Sequence, residues 1–352
     1  MKKLMILLAV STLLLAGCSS PNNNNEKTPE EPETKVVRLA VYSIGHVFNF
    51  IAEEQGYLAE EGISVEYVPV ETDAEVFEGI RKGTIDIASN SGTNLPLQQI
   101  ATGLDLTIFA GYLLTGCLPV FGRADAQWNG IEDLLGKTMA CEPNVYAITG
   151  PLYDMGYNPL RQINWFETEN QQERIAAVKS GQADFGLVGT QLNYEVINDQ
   201  DLKILTYAAD ILPAYSCCRV EALSSWVREN PNTVKALLRA WIRAMEYYES
   251  HHDETVDLVI RKTNANEDEV RVYMDNPRHD LNIDPMKKSV IRAWSYMRCM
   301  GLMDETGRSI NILDHINTDL YKQALDECQA RYGADNQKFY ENLQAQYARN
   351  NQ

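Results

Sequence analysis

The chain has 352 residues, of which 45% are hydrophobic and 23% are charged, a balance typical of globular proteins and a length that accommodates about two domains. It carries 49 Asp and Glu against 31 Lys and Arg, which gives a net charge of −18. Because nucleic acids are bound chiefly through clustered Lys and Arg, this composition excludes a nucleic-acid partner. The acidic excess also opposes electrostatic adhesion to anionic lipid.

The N-terminus has the features of a secretion signal. Two lysines precede an apolar run over residues 4–15, which is too short to span a bilayer at about 20 residues. The run ends in L-A-G-C at residues 15–18, which resembles the lipobox of bacterial lipoproteins, where cleavage precedes a Cys that carries diacylglycerol. We therefore predict that residues 1–17 are a signal peptide and that Cys18 is a lipidation site that anchors the protein outside the cytoplasm. An ordinary signal peptide with a coincidental Cys is the alternative.

Residues 18–35 are predicted to be a disordered tether. The segment is rich in Asn, Pro and Glu, and no apolar residue occurs in it before Val36. Such a segment cannot bury enough surface to fold. The folded part is therefore expected to begin at residue 36.

An internal repeat divides the next part of the chain into two similar α/β lobes. Residues 80–95 and 178–192 both run from an apolar helix end through a Gly, an Asp and a short apolar strand to Gly-Thr and then Asn-Leu or Gln-Leu. The first Gly of each copy, Gly83 and Gly181, suits a left-handed helix C-cap. The Gly-Thr pair follows each strand at its carboxyl end, the edge where open α/β sheets bind ligands.

A β-α-β pattern precedes each copy of the repeat. Alternating or continuous apolar residues predict the strands, and Gly residues mark the helix ends. In chain order, the predicted elements are a strand at 36–42, a helix at 47–55, a strand at 63–70, a strand at 137–142, a helix that ends near Gly156, and a strand at 163–168.

The C-terminal third is predicted to be helical and to cover the first lobe. Asn230-Pro231 places an N-cap and a Pro at the first helical position before an apolar pattern with helical spacing. Further helices are predicted at 289–303 and 316–332. Because no Gly-Ser linker separates the lobes, we expect strands near 118–123 and 215–220 to join them as a hinge.

Several segments carry a resemblance to a known family: residues 51–68 (I-A-E-E-Q-G-Y-L-A-E-E-G-I-S-V-E-Y-V), 83–88 (G-T-I-D-I-A), 130–141 (G-I-E-D-L-L-G-K-T-M-A-C) and 180–188 (S-G-Q-A-D-F-G-L-V). They resemble the extracytoplasmic solute-binding proteins of ABC importers. The branch in question includes nitrate, sulfonate and taurine binders and binders of thiamine-pyrimidine precursors. The resemblance covers roughly residues 36–250.

The resemblance implies the type II periplasmic-binding-protein fold, an α/β architecture with two lobes joined by two hinge strands. Residues 36–117 and 221–352 would form the first lobe, and residues 118–220 the second. The lobes would close on a small-molecule solute and present it to the transmembrane subunits of a permease. We expect a monomer that binds no cofactor, metal or nucleic acid and meets the membrane only through its lipid anchor.

The ligand loops of that family map onto the strand ends of this chain. The predicted ligand-binding residues are Tyr42, Ser43, His46, Ser89, Asn90, Ser91, Gly92, Thr93, Tyr112, Asn144, Tyr146, Gly189, Thr190, Gln191, Asp210 and Tyr215. Several of them open helices, whose N-termini present free N–H groups and a partial positive charge.

The side chains in these loops favour an aromatic solute. They include several Tyr and a His, which suit a planar ring, and no Arg, which anion binders use for bidentate pairing. The predicted ligand is therefore a pyrimidine-like or other heteroaromatic compound. A sulfonate, taurine or nitrate ligand is the alternative, since helix N-termini alone can hold a sulfonate.

An enzyme and a scaffold-only surface lipoprotein are the alternatives from other classes. A pyrimidine synthase of this fold uses a His and a Cys-rich loop, which His46 and Cys217-Cys218 match only loosely, and its pyridoxal-type Lys has no counterpart; we therefore predict no catalytic activity. No C-x-x-C or zinc-type His spacing is present. Cys117 is expected either to pair with Cys217 or Cys218 across the hinge or to remain a buried thiol.

Overall fold

A computed structural model describes residues 30–352 except residues 43–44, 117, 169 and 190–191. The predicted signal peptide and Cys18 lie outside the described residues. Residues Glu31–Gln352 form one compact unit. Among the helices of the described part, none is long and apolar enough to cross a membrane.

The strands of the described residues are β1 (Val36–Val41), β2 (Ser64–Pro69), β3 (Ile87–Gly92), β4 (Leu106–Gly111), β5 (Leu113–Thr115), β6 (Pro119–Arg123), β7 (Thr138–Ala140), β8 (Asn164–Trp165), β9 (Phe185–Leu187), β10 (Leu202–Tyr207), β11 (Cys218–Leu223) and β12 (Asp280–Leu281).

The α-helices of the described residues are α1 (Val47–Glu54), α2 (Tyr57–Glu60), α3 (Asp73–Lys82), α4 (Asn94–Ala101), α5 (Tyr146–Asp154), α6 (Pro159–Gln162), α7 (Gln171–Ser180), α8 (Asn193–Asn198), α9 (Ala208–Ile211), α10 (Ser224–Glu229), α11 (Pro231–Ser250), α12 (His252–Thr263), α13 (Glu267–Met274), α14 (Lys287–Cys299), α15 (Glu305–Ser309), α16 (Asp319–Tyr332) and α17 (Gln337–Asn351).

Two five-stranded sheets form the two lobes. The first has the order β2-β1-β3-β11-β4, and the second has the order β10-β6-β9-β7-β8. In each sheet a parallel β-α-β unit is joined by an antiparallel strand, β11 in the first and β6 in the second. The predicted α/β architecture with two similar lobes is thus confirmed.

The repeated Gly and Asp of the sequence have matching structural roles. Gly83 and Gly181 end α3 and α7 with φ values of 67° and 77°, as predicted for left-handed C-caps. The carboxylate of Asp86 accepts the backbone N–H of Arg38 at 2.8 Å, and that of Asp184 accepts the N–H of Thr138 at 2.9 Å. Each Asp therefore fixes the first residues of the neighbouring parallel strand.

The strand predicted at 85–88 lies further along the chain than expected. β3 begins at Ile87 and continues to Gly92, because β11 pairs with it as far as Cys218 opposite Gly92. Residues 89–92, predicted as a ligand loop, are therefore strand residues. Only Thr93 separates them from α4.

The chain crosses between the sheets twice, before β6 and between α9 and β11. The two strands predicted as a hinge follow these crossings, β6 within the second sheet and β11 within the first. The short strand β12 from the C-terminal region also pairs with β5, directly before the first crossing. The C-terminal region thus reaches the hinge, which the sequence did not indicate.

The C-terminal helices cover the first lobe, but they do not stop there. α11 packs on α1 and α16, as predicted, whereas α14 also contacts α5 of the second lobe. The apolar pattern of α14 predicted a buried face without showing which lobe covers it.

The predicted tether is fixed at its end. The Glu33 carboxylate accepts the backbone N–H groups of Asn232 at 3.0 Å and Thr233 at 2.9 Å, so it caps α11. Asn230, the predicted N-cap, makes no side-chain cap. Its Oδ1 instead accepts the hydroxyl of Thr34 at 2.6 Å. Residues 33 and 34 therefore belong to the folded unit.

Candidate ligand cleft

The two lobes contact each other at the ends of their strands. The amide of Asn94 at the start of α4 donates to Oδ1 of Asn144, which follows β7 in the second lobe, at 3.2 Å. The Tyr146 hydroxyl donates to the carbonyl of Ser216 at 2.6 Å and accepts its N–H at 3.0 Å. These contacts close one side of the cleft predicted between the lobes.

A Tyr–Asp pair lies on the first-lobe side of this contact. Tyr42 follows β1 and Asp73 begins α3 after β2, and the Tyr42 hydroxyl donates to Oδ1 of Asp73 at 2.5 Å. Burial raises the pKa of Asp73, although the bond from Tyr42 offsets part of the shift. The charges of Glu142 and Arg174 from the second lobe also act on this carboxyl, which places Asp73 at the boundary between the lobes.

Glu221 is a fully buried carboxyl on β11. Neither of its oxygens makes a well-aligned hydrogen bond among the described residues, although the buried hydroxyl of Ser91 on β3 interacts with this carboxyl and lowers its pKa. Burial raises the pKa of Glu221 well above its usual range; the nearby Ser91 and the charge of Arg219 offset part of the shift, and the charge of Asp73 adds to it. Since native proteins rarely bury a carboxyl with so few hydrogen-bond partners, Glu221 is a candidate ligand contact.

The second lobe contributes an Arg that is already paired. Nη1 of Arg174 donates to the carbonyl of Leu187 at 3.1 Å, and its Nη2 forms an ion pair with Glu142. Asn193 at the start of α8 is fully buried, and neither atom of its amide group has a partner in the described structure. The second lobe therefore offers free amide donors and acceptors and a guanidinium that is held by a carboxylate.

An aromatic group surrounds His46 at the start of α1. The imidazole stacks on Trp241 at 4.4 Å between ring centroids and lies 4.2 Å from the ring of Tyr112. Its Nδ1 accepts the N–H of Asn49 at 3.2 Å. Burial lowers the pKa of His46 to about 3, so the ring is neutral at physiological pH. Its Nε2 has no partner among the described residues.

Several predicted ligand residues have internal partners instead. Ser89 donates to the carbonyl of Ala40 at 2.8 Å, and Thr93 donates to that of Cys217 at 2.9 Å. The buried Tyr112 hydroxyl accepts from Val47 at 3.1 Å and from Tyr273 at 3.2 Å. These three side chains hold strands and helices together, which is the structural role that small polar and Tyr residues often take in a core.

Asp210 lies on the surface. Its carboxylate accepts the N–H of Tyr207 at 3.3 Å and forms a 3.3 Å ion pair with Arg278, and its side chain is 46% exposed. Its carboxylate thus caps α9, and a role in the cleft stays a prediction.

The remaining predicted residues lie close to the cleft or outside the described residues. Asn90 and Gly92 are half-buried in β3, and the ring of the buried Tyr215 lies 5.0 Å from that of Tyr146. The N–H of Gly189 donates to Gln171 at 2.5 Å. Ser43, Thr190 and Gln191 fall outside the described residues.

Five polar residues at the cleft were not predicted: Asp73, Glu142, Arg174, Asn193 and Glu221. Glu221 carried a recognisable signal, since it is a charged residue within the apolar stretch V-E-A-L of a strand. The other four lie at or near helix starts or in a helix, where charged and amide residues are common.

The cysteines near the hinge differ in state. Cys217 is disulfide-bonded, and the predicted partner Cys117 lies outside the described residues. Cys218 is a free thiol 3.0 Å from the Cys217 sulfur. Burial raises the pKa of Cys218 to about 12, and the charge of Arg219 offsets only part of this shift.

Two open surface cavities lie away from the cleft. One, of about 370 Å³, is lined by Tyr57, Arg243 and His251 among others, and one of about 280 Å³ is lined by residues around Arg123. In the first, Arg243 lies over the Tyr57 ring at 3.9 Å and pairs with Glu60. Neither cavity shares a residue with the polar cluster described above.

Comparison with known proteins gives three consistent likenesses. The family model described as NMT1/THI5 like matches residues 43–255. The formylaminopyrimidine-binding protein of Halalkalibacterium halodurans is 24% identical over 286 residues, which cover 79% of this chain and 84% of that protein.

Solved structures show the same architecture at low identity. The periplasmic nitrate-binding protein NrtA of Synechocystis PCC 6803 superposes with a TM-score of 0.68 at 16% identity, over 87% of this chain and 91% of that one. The periplasmic aliphatic sulphonate-binding protein SsuA of Escherichia coli gives 0.64 at 14% identity, over 81% and 92%. These likenesses confirm the predicted periplasmic-binding-protein fold.

Proposed function

The chain belongs to the NMT1/THI5-like family, and from this premise we propose that it is the solute-binding component of an ABC importer. It binds a small substituted pyrimidine or a related heteroaromatic compound between its lobes. The formylaminopyrimidine-binding relative supports the ligand class, and the likeness to sulphonate and nitrate binders supports the fold alone.

The observation that carries the proposal is the fully buried carboxyl of Glu221. A ring amino group donates N–H to such a carboxylate and would satisfy oxygens that make no well-aligned hydrogen bond among the described residues. Asp73 and Glu142 add further negative charge, and Arg174 is already paired with Glu142. An amine-bearing ring would meet carboxyl oxygens that can accept its hydrogen bonds.

Solute capture works through closure of the lobes. Contacts from both lobes to one solute exist only when the cleft is closed, so the solute shifts the open–closed equilibrium by its difference in affinity for the two states. The transmembrane subunits of the permease then recognise the closed form. We also propose that the protein acts as a monomer outside the cytoplasm, attached to the membrane through lipid on Cys18.

The thiols near the cleft favour binding over catalysis. An enzyme that uses a cysteine as nucleophile needs its thiolate, but burial raises the pKa of Cys218 to about 12 and Cys217 is disulfide-bonded. The buried, neutral His46 stacks on Trp241. The proposal is therefore stoichiometric binding with release of an unchanged solute.

Isothermal titration with formylaminopyrimidine, taurine and nitrate tests the proposal. We expect formylaminopyrimidine to bind, with a matching rise in melting temperature, and taurine and nitrate to give neither effect. Tight binding of taurine or nitrate alone would refute the ligand class. Mass spectrometry of the solute released on denaturation separates a binder from an enzyme, since only an enzyme returns an altered molecule.

A further inference from the structure

Helix α14 is fastened to the first lobe at its start. The N–H of Lys287 donates to Oδ1 of Asn351 at 2.9 Å, and Nζ of Lys288 donates to the carbonyl of Arg349 at 2.7 Å. Asn351 and Arg349 lie in α17, which packs with α16 and so with the helices that cover the first lobe. The start of α14 therefore moves with that lobe.

The next turn of α14 lies on the second crossing between the lobes. Nη2 of Arg292 donates to the carbonyls of Pro213 at 2.9 Å and Ala214 at 3.0 Å, and the Ser289 hydroxyl also donates to Ala214. Seven residues separate Ser289 from Tyr296, which corresponds to about 10 Å along a helix. α14 thus begins at the hinge and extends about 10 Å beyond it.

The far end of α14 meets α5 of the second lobe. The ring of Tyr296 lies so close to Gly150 that a Cβ there would be 2.5 Å from a ring carbon. The Tyr296 hydroxyl donates to the carboxylate of Asp154, one turn further along α5. α5 also carries Tyr146 at its first position, two residues after the cleft residue Asn144. A contact at Gly150 and Asp154 therefore sets where these cleft residues lie.

We propose that the contact of Tyr296 with Gly150 and Asp154 is a latch between the lobes that stabilises the closed form from outside the cleft. Because α14 is fixed to the first lobe and α5 belongs to the second, rotation at the hinge must separate them. The latch itself involves no contact with a solute. Its expected effect on solute affinity, however, depends on the proposed function. A weaker latch lowers the closed population and reduces the apparent affinity by the same factor.

The direct test measures the distance between the two lobes of the ligand-free protein by electron paramagnetic resonance. Spin labels are placed through E78C in the first lobe and D125C in the second, both at exposed positions, in a C299S background that removes the exposed thiol. We expect a detectable short-distance population, which Tyr296→Phe lowers about twofold to tenfold because one hydrogen bond is lost. Gly150→Ala, which forces the Tyr296 ring away, lowers it at least as much.

Tyr157→Phe is the matched control. Its hydroxyl donates to Glu132 at 2.5 Å within the second lobe, so the same chemical change removes a Tyr–carboxylate bond that does not join the lobes. We expect this variant to keep the wild-type distances. If the wild type shows no short distance, or if Tyr296→Phe and Gly150→Ala match the control, the latch is refuted. Because this measurement uses no solute, its result does not depend on the proposed ligand.

Titration with formylaminopyrimidine provides the second arm. We expect Tyr296→Phe to bind it about twofold to tenfold more weakly and Tyr157→Phe to bind it as the wild type does. Tighter binding by Tyr296→Phe would also refute the latch, because it would mean that the contact opposes closure. Absence of binding by the wild type contradicts the proposed function, while the distance measurement still decides on the latch.

Discussion

Replacement of Glu221 by Gln should stabilise the ligand-free protein and weaken solute binding. The side chain is fully buried and its oxygens make no well-aligned hydrogen bond among the described residues, so burial of the charge opposes folding. Gln keeps the shape of the Glu side chain but has no group that ionises in this pH range. Removing a group that binds a ligand but destabilises the free fold is expected to have these opposite effects.

The size of the stability gain has an upper limit that follows from pH alone. A Glu carboxyl in the unfolded chain ionises at about pH 4.3, and the folded protein can take up a proton rather than bury the charge. At about 1.36 kcal/mol per pH unit, the penalty at pH 7 is at most about 3.7 kcal/mol. Since the Gln amide also lacks a partner, we expect a net gain of about 1 to 3 kcal/mol, or about 2 to 5 °C in melting temperature for a protein of this size.

The sign of the pH dependence separates this explanation from a packing effect. Burial raises the folded pKa of Glu221, so the wild type is penalised as pH rises above the unfolded value. The advantage of Glu221→Gln should therefore be present at pH 7.5 and vanish near pH 4. Urea denaturation at both pH values measures it, and titration should show formylaminopyrimidine affinity lowered about tenfold or more.

Glu61→Gln is the matched control for a buried carboxyl that is paired. Glu61 accepts from Nε of Arg239 at 2.8 Å and lies 3.7 Å from Arg331. Weakening that pair should destabilise the protein and leave solute affinity unchanged. If Glu221→Gln also destabilised the protein at pH 7.5, or if it left affinity intact, Glu221 would be a structural residue and the reasoning would be refuted.

Three further outcomes are expected. Formylaminopyrimidine affinity should rise with pH between 5 and 8, because the raised pKa values of Asp73 and Glu221 make their carboxylates available only at higher pH. Titration in buffers of different ionisation enthalpy should detect the accompanying proton release. Glu195→Gln should tighten binding about twofold at low salt and have no effect at high salt, since the charge of Glu195 acts across the lobes on Glu269. Burial and the charge of Glu195 both raise the pKa of Glu269. Glu33→Gln should lower the free energy of unfolding by about 1 kcal/mol at pH 7 in denaturant melts, because the α11 cap is weakened. Partial burial acts to raise the pKa of Glu33, but the backbone amides of residues 232 and 233 outweigh it and lower the pKa. The difference between Glu33→Gln and the wild type should therefore disappear as pH falls through that pKa.

The sequence allowed the architecture to be predicted because its signals are local. The left-handed caps at Gly83 and Gly181 depend only on the backbone of one residue, and the buried strands show as short apolar runs. The length of β3 was not predictable in the same way. Its last residues are polar, and they form a strand because β11, more than 120 residues later in the chain, pairs with Gly92 and Ser91.

The cleft was predicted in position but not in chemistry. The strand-end rule placed Tyr42, Asn144 and Tyr146 near the lobe boundary, but it gave no information about their partners. Asp73 matters because the Tyr42 hydroxyl donates to it, and Glu221 matters because it is a fully buried carboxyl with only Ser91 and Arg219 as partners that lower its pKa. Both facts depend on which distant segments fold next to each other, and no spacing in the sequence records that.

The charges at the cleft are the basis of the proposed ligand class. Likeness to nitrate and sulphonate binders extends over more than 80% of the chain at identities of 16% and 14%, so shared architecture cannot decide the ligand. Arg174 is engaged by Glu142 and by the carbonyl of Leu187, whereas Nε and Nη2 of the buried Arg219 and the amide group of Asn193 have no hydrogen-bond partner among the described residues. Both oxygens of Glu221 also lack a well-aligned hydrogen bond there, and they only accept hydrogen bonds when ionised. The proposed solute therefore brings donors for Glu221, which an aminopyrimidine does and nitrate does not.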